Sequence, residues 1–123
     1  MKRLFTLLTV LCLASTPALG QWTTDSLSTG RSSLAAVTIG DYALFAGGKG
    51  ASSSLGTVDA YQISTGTWST AALSVPRGSI GATAVGQYVL FAGGSDDYTQ
   101  TVFKTVDVYD SSAGPPNDPL AWS

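Results

Sequence analysis

The heptapeptide "YALFAGG" (Tyr42–Gly48) returns 46 positions later as "YVLFAGG" (Tyr88–Gly94). Self-similarity at a period of roughly 20–50 residues restricts a chain to stacked or radially arranged units, none of which buries its apolar face alone. The match extends well beyond seven letters. "RSSLAAVTIGDYALFAGG" (Arg31–Gly48) lies over "RGSIGATAVGQYVLFAGG" (Arg77–Gly94) without a gap, and 10 of the 18 positions are identical. Upstream, Trp22 lies over Trp68, Leu27 over Leu73 and Ser28 over Ser74. Downstream, "TVDAYQ" (Thr57–Gln62) matches "TVDVYD" (Thr105–Asp110) at a spacing of 48, so the loop after the second Gly-Gly is two residues longer. Insertions confined to loops between matching cores mark a structural duplication, because loops absorb them and strands do not.

Each unit reads as four short strands. Leu34–Ile39 and Tyr42–Ala46 flank Gly40-Asp41, a tight-turn dipeptide, and predict a hairpin. Gly86-Gln87 takes the same place in the second unit. Thr57–Ile63 alternates as a half-buried strand does, and Thr67–Ala71 follows a Ser-Thr-Gly turn and carries Trp68. The first strand of each unit is rich in small residues (Ala35, Ala36; Gly81, Ala82, Ala84), which suits a crowded position. Glu is absent and Lys scarce, so long helices are not expected. The expected fold is all-β, with blades of the β-propeller type.

At this point a family resemblance becomes specific. An entry Arg, a small-apolar strand, a turn, an apolar strand ending in Gly-Gly, then Tyr and Trp: this order resembles the kelch repeat. Arg31, Gly47-Gly48, Tyr61 and Trp68 fill it in the first unit; Arg77, Gly93-Gly94, Tyr109 and Trp122 fill it in the second. Gly30 precedes the first Arg where the family has Pro, whereas Pro76 keeps it. The resemblance implies kelch repeats at 31–76 and 77–123, the second truncated at its last strand. It also implies a ring-closing strand at 21–30. Two blades do not close a ring of about 4–8, so an incomplete ring is expected, as in a fragment of a longer propeller. Exposed blade faces are expected to self-associate.

Residues 1–20 have the layout of a secretory signal peptide. Lys2 and Arg3 precede an apolar stretch from Leu4 to Ala14, and small residues around Ala18 and Gly20 suit cleavage before Gln21. The stretch is short of the roughly 20 residues that span a bilayer, so stable membrane insertion of the mature chain is not expected. Export to the extracellular space is. Beyond residue 20 there is no Cys, and four basic residues (Arg31, Lys49, Arg77, Lys104) stand against eight Asp, a net charge of −4. That balance argues against a nucleic-acid partner.

Catalytic vocabulary is sparse. His is absent from the chain, which removes the usual base of a serine or cysteine hydrolase site. No catalytic residue, metal site or cofactor is expected, and Asp96-Asp97 reads as a solvated turn rather than a Ca²⁺ site. The Gly-Gly pairs read as backbone devices for φ > 0 and close approach, not as a phosphate loop. What remains is recognition, since loops held by rigid strands commonly carry function. By the resemblance, the contact face consists of the entry Arg of each blade and the loop after Gly-Gly. This selects Arg31 and Arg77, with Lys49, Ser52 and Ser53 in one loop and Ser95, Asp96, Tyr98 and Gln100 in the other. The expected partner is a protein or a glycan. The alternatives are a scaffold portion of a secreted carbohydrate-active oxidase or epimerase, and a structural spacer in a cell-surface protein.

Overall fold

The computed structural model describes residues 21–123; the expected leader and its cleavage site lie outside the described residues. Nine strands form: β1 (Ala35–Ile39), β2 (Tyr42–Ala46), β3 (Thr57–Gln62), β4 (Thr67–Ala72), β5 (Gly81–Val85), β6 (Tyr88–Ala92), β7 (Ser95–Asp96), β8 (Thr101–Val102) and β9 (Val106–Asp110). One turn of 3₁₀-helix follows at Pro119–Ala121, where Asp118 caps by accepting from the Leu120 amide. Among the described residues no helix is long and apolar enough to cross a membrane.

The first sheet is an antiparallel meander in the order β1-β2-β3-β4, and the second is β5-β6-β9. Both open on hairpins whose turn glycines, Gly40 and Gly86, have φ of 54° and 58°. This is the left-handed conformation that a tight hairpin turn requires and that glycine adopts without steric cost. In the second sheet the fourth position is filled by Trp122 and Ser123. Trp122 bridges to Tyr109, while Ser123 and Val108 exchange backbone hydrogen bonds of 2.7 and 2.8 Å.

Register decides which face each residue occupies, because side chains alternate across a strand. Leu44 opposes Ala60, and Ala46 opposes both Ala35 and Val58, so these share one face of the first sheet with Ile39. On the second sheet Phe91 opposes Asp107 and Val89 opposes Tyr109, on the face that meets the first sheet. The two faces join in a single core of Ala35, Ile39, Leu44, Ala46, Val58 and Ala60 with Val89, Phe91 and Tyr109. The stacking is parallel in sense: the back of the first sheet meets the front of the second. It is fastened by the backbone, with Gly48 N–H donating to Arg77 O (2.9 Å) and Ser79 N–H to Ser33 O (2.8 Å). Gly47 shows how tight the seam is. A Cβ there would stand 2.5 Å from Arg77 O and 2.5 Å from Ile80 Cδ1.

Two expectations need correction. Residues 21–30 form no strand. The segment is held by side chains rather than by a backbone ladder: Trp68 Nε1–H donates to Asp25 (2.8 Å) and Ser28 N–H to Asp59 (3.2 Å). Trp22, aligned with Trp68 in sequence, is 97% exposed. The loop after the second Gly-Gly is also not plain loop. Its two extra residues let it fold back as the small hairpin β7-β8, with Gln100 at φ 58° in the turn.

Candidate recognition surface at the Gly-Gly end

Arg31 and Arg77, expected on the contact face, point into the protein. The Arg77 guanidinium is fully buried: Nε donates to Gly93 O (2.7 Å), one terminal nitrogen to Val75 O (3.0 Å) and Asp107 Oδ2 (2.9 Å), the other to Phe91 O (3.1 Å). Arg31 repeats the pattern, binding Gly47 O (2.8 Å), Thr29 O (3.1 Å), Phe45 O (3.0 Å) and Asp59 Oδ2 (2.8 Å). The planar fork thus ties the end of the second strand, the third strand and the incoming linker together. A buried charge requires such full pairing. Their partners, Asp59 and Asp107, were not among the expected site residues. The signal was present: Asp disfavours strands, yet "TVD" recurs in a strand of both units.

The remaining residues come together. The loop after Gly48 and the hairpin after Gly94 lie side by side and are cross-linked. Lys49 Nζ forms an ion pair with Asp97, Ser54 Oγ–H donates to Asp96 Oδ1 (2.9 Å), and Tyr98 O–H donates to Gly50 O (2.6 Å). Asp96 Oδ1 also accepts from the Tyr98 amide (3.1 Å), and Ser95 Oγ–H donates to Asp97 (2.7 Å). Ser95 itself is fixed from below by paired backbone bonds with Gly78 (2.8 and 2.9 Å). Ser52 and Ser53 project freely at the neighbouring loop tip, and Gln100 is exposed at the hairpin turn. Tyr98 spends its hydroxyl on Gly50 yet keeps its ring 48% exposed.

Hydrogen bonds from Lys49 and then Ser95 hold the Asp97 carboxyl below the usual carboxylate range, against a small opposing effect of burial. The Ser54 hydroxyl does the same for Asp96, again partly offset by burial. Both are therefore carboxylates at neutral pH, and the patch offers an aromatic face beside ionised acceptors, an ammonium and free hydroxyls. Among the described residues no three His, Cys, Asp or Glu side chains are grouped as metal ligands.

Two clefts open between the sheets away from this patch. One, about 230 Å³, is lined by Ala71, Pro116, Pro119 and Trp122. The other, about 380 Å³, lies at the hairpin-turn end between Asp41, Tyr42 and Tyr109. Burial, and secondarily the neighbouring Tyr42 and Asp110, raises the Tyr109 phenol to about 12. Its hydroxyl donates to Gly114 O (2.8 Å), holding the Pro-rich loop over the seam. No protein-family model matches the chain, and no curated protein matches it in sequence.

Proposed function

We propose that the two sheets are successive blades of a kelch-type β-propeller in an exported protein, and that the paired Gly-Gly loops form part of its recognition surface. Support for the blade reading comes from the shared plan of the two sheets. Each sheet has an entry Arg bonded to the carbonyls of its second strand and to an Asp of its third. The front of one sheet also packs on the back of the other.

The observation that carries the recognition reading is the cross-linking of the two loops into one preorganised patch through Lys49–Asp97, Ser54–Asp96 and Tyr98–Gly50. Preorganisation removes the ordering cost that binding to free loops would incur. An exposed Tyr ring beside carboxylates suits a sugar, whose apolar ring face stacks on the aromatic while its hydroxyls donate to Asp96 and Asp97. A glycan is therefore the partner class we favour over a protein. Incubating the full chain with a printed glycan array tests this. Tyr98→Ala should reduce the bound signal by at least about tenfold, as removal of an aromatic anchor typically does. Equal signals from wild type and Tyr98→Ala, or none from either, overturn the glycan reading.

A further inference from the structure

The two sheets carry the same residues but are covered differently. The back of the first sheet (Ile39, Leu44, Val58, Ala60) is sealed by the second sheet, with Leu44 and Val58 at 0% exposure. The matching positions on the back of the second sheet are Val85, Leu90, Val106 and Val108. There Val85 is 61% and Val106 45% exposed, and Tyr88 and Leu90 complete an apolar face with no sheet against it among the described residues. The front of the second sheet (Val89, Phe91, Tyr109) is fully buried, whereas its counterpart on the first (Ala43, Phe45, Tyr61) is only half-buried. Among the described residues the molecule therefore leaves without a facing sheet one copy of each half of an interface that it also contains complete. The front copy carries only the segment 21–30, held through Asp25 and Asp59, which an incoming sheet would have to displace.

The backbone repeats this asymmetry. Gly48 N–H donates across the seam to Arg77 O, and a Cβ on Gly47 would collide with that carbonyl. Gly93, with the same φ of 68°, has nothing nearer than 3.6 Å to such a Cβ. The slot that receives Arg77 O in the first sheet is open in the second, and the carbonyl that would fit it in another molecule is that of Arg31.

We infer that this chain associates head to tail with a second copy of itself, the back of one molecule's second sheet receiving the front of the other's first sheet. The contact reproduces the internal seam. Gly94 N–H of one copy donates to Arg31 O of the next, and Leu90 and Val106 pack on Phe45 and Tyr61. Because the two faces differ, the interface is heterologous and each addition leaves a new pair of faces, so growth ends only if a ring closes. The inference needs only these faces and is independent of the loop reading.

The test is light scattering on the full chain after size-exclusion chromatography over a range of concentrations. Wild type should assemble beyond a monomer as concentration rises. Leu90→Asp disables the back face and Ala43→Asp the front, and neither residue belongs to the internal core. Each should weaken assembly by about a hundredfold or more, since an unpaired carboxylate is costly to bury. Mixed together, they should form a one-to-one heterodimer and nothing larger, because each supplies the face that the other lacks. Far-UV circular dichroism confirms folding; should either Asp variant be unfolded, Leu90→Ser and Ala43→Ser replace the pair. A wild type monomeric at every concentration overturns the inference. So do assemblies indifferent to both substitutions, a dimer formed by either variant alone, or folded variants that fail to pair on mixing.

Discussion

Phe45, Tyr61 and Trp68 in the first sheet and Phe91, Tyr109 and Trp122 in the second are the same trio in the same register. Their ring spacings match, with Tyr–Trp centroids 4.9 and 5.2 Å apart and both Phe–Trp pairs at 6.1 Å, although the Phe–Trp planes meet at 39° in the first sheet and 19° in the second. Yet Phe91 and Tyr109 are fully buried, while Phe45 and Tyr61 are partly open and Trp68 is 36% exposed. Local structure alone arranges the rings; a neighbouring sheet decides whether they become core. Among the described residues, the first trio has only the irregular segment 21–30 over it, held through Asp25 and Asp59.

Stability should follow that difference. Phe91→Ala is expected to cost about 3–5 kcal/mol, as for a fully buried aromatic, and Phe45→Ala less than about half of that in the monomer, because fewer of its contacts are lost. Urea denaturation of both variants at a concentration below assembly measures the gap. Equal losses would mean that the segment over Phe45 seals it as well as a sheet does.

A smaller contrast lies at the glycines. Gly47→Ala and Gly93→Ala share the strain of placing an alanine at φ 68°, roughly 1–2 kcal/mol. Gly47→Ala carries in addition the collision with Arg77 O and Ile80, so it should be the more destabilising in the same denaturation experiment. In assembled samples Gly93→Ala should lose its advantage, since its slot would then be filled.

The smallest effect is the pH response, and it separates the loop end from the seam. Asp96 and Asp97 have lowered folded pKa values, so the unfolded chain takes up protons first as pH falls. Their contribution is present above the unfolded value and disappears as pH drops through the folded one. Tyr109 has the opposite sign: with its phenol raised to about 12, its contribution is intact below pH 10 and lost between about pH 10 and 12. Proteolysis of the 95–102 hairpin should increase at acid pH while the Tyr109 fluorescence environment stays native; at alkaline pH the seam should loosen first. Loss of both at one pH would show that the loop patch and the seam unfold as one unit.

Much of the architecture was legible from residue order. The strands before and after Gly40-Asp41 and Gly86-Gln87 lie where alternation and turn chemistry place them, as do β3 and β4. The hairpin β7-β8 was hidden because its only trace was a two-residue length difference, and strands of two residues carry no periodicity. The inward turn of Arg31 and Arg77 was hidden for another reason. An Arg at a strand entry looks alike whether it meets solvent or an Asp from two strands away, and that pairing is a long-range contact. Lys49, Ser95, Asp96 and Tyr98 were picked out individually, but their cross-loop bonding depends on how the sheets stack.

By itself, the sequence determined a twice-written antiparallel unit with its turns, its strand faces and its Gly-Gly ends, because alternation and backbone conformation are local. Tertiary structure alone decided which copy of each face is buried and which stays open. Burial belongs to pairs of surfaces, and two identical strands differ in it as soon as only one has a neighbour.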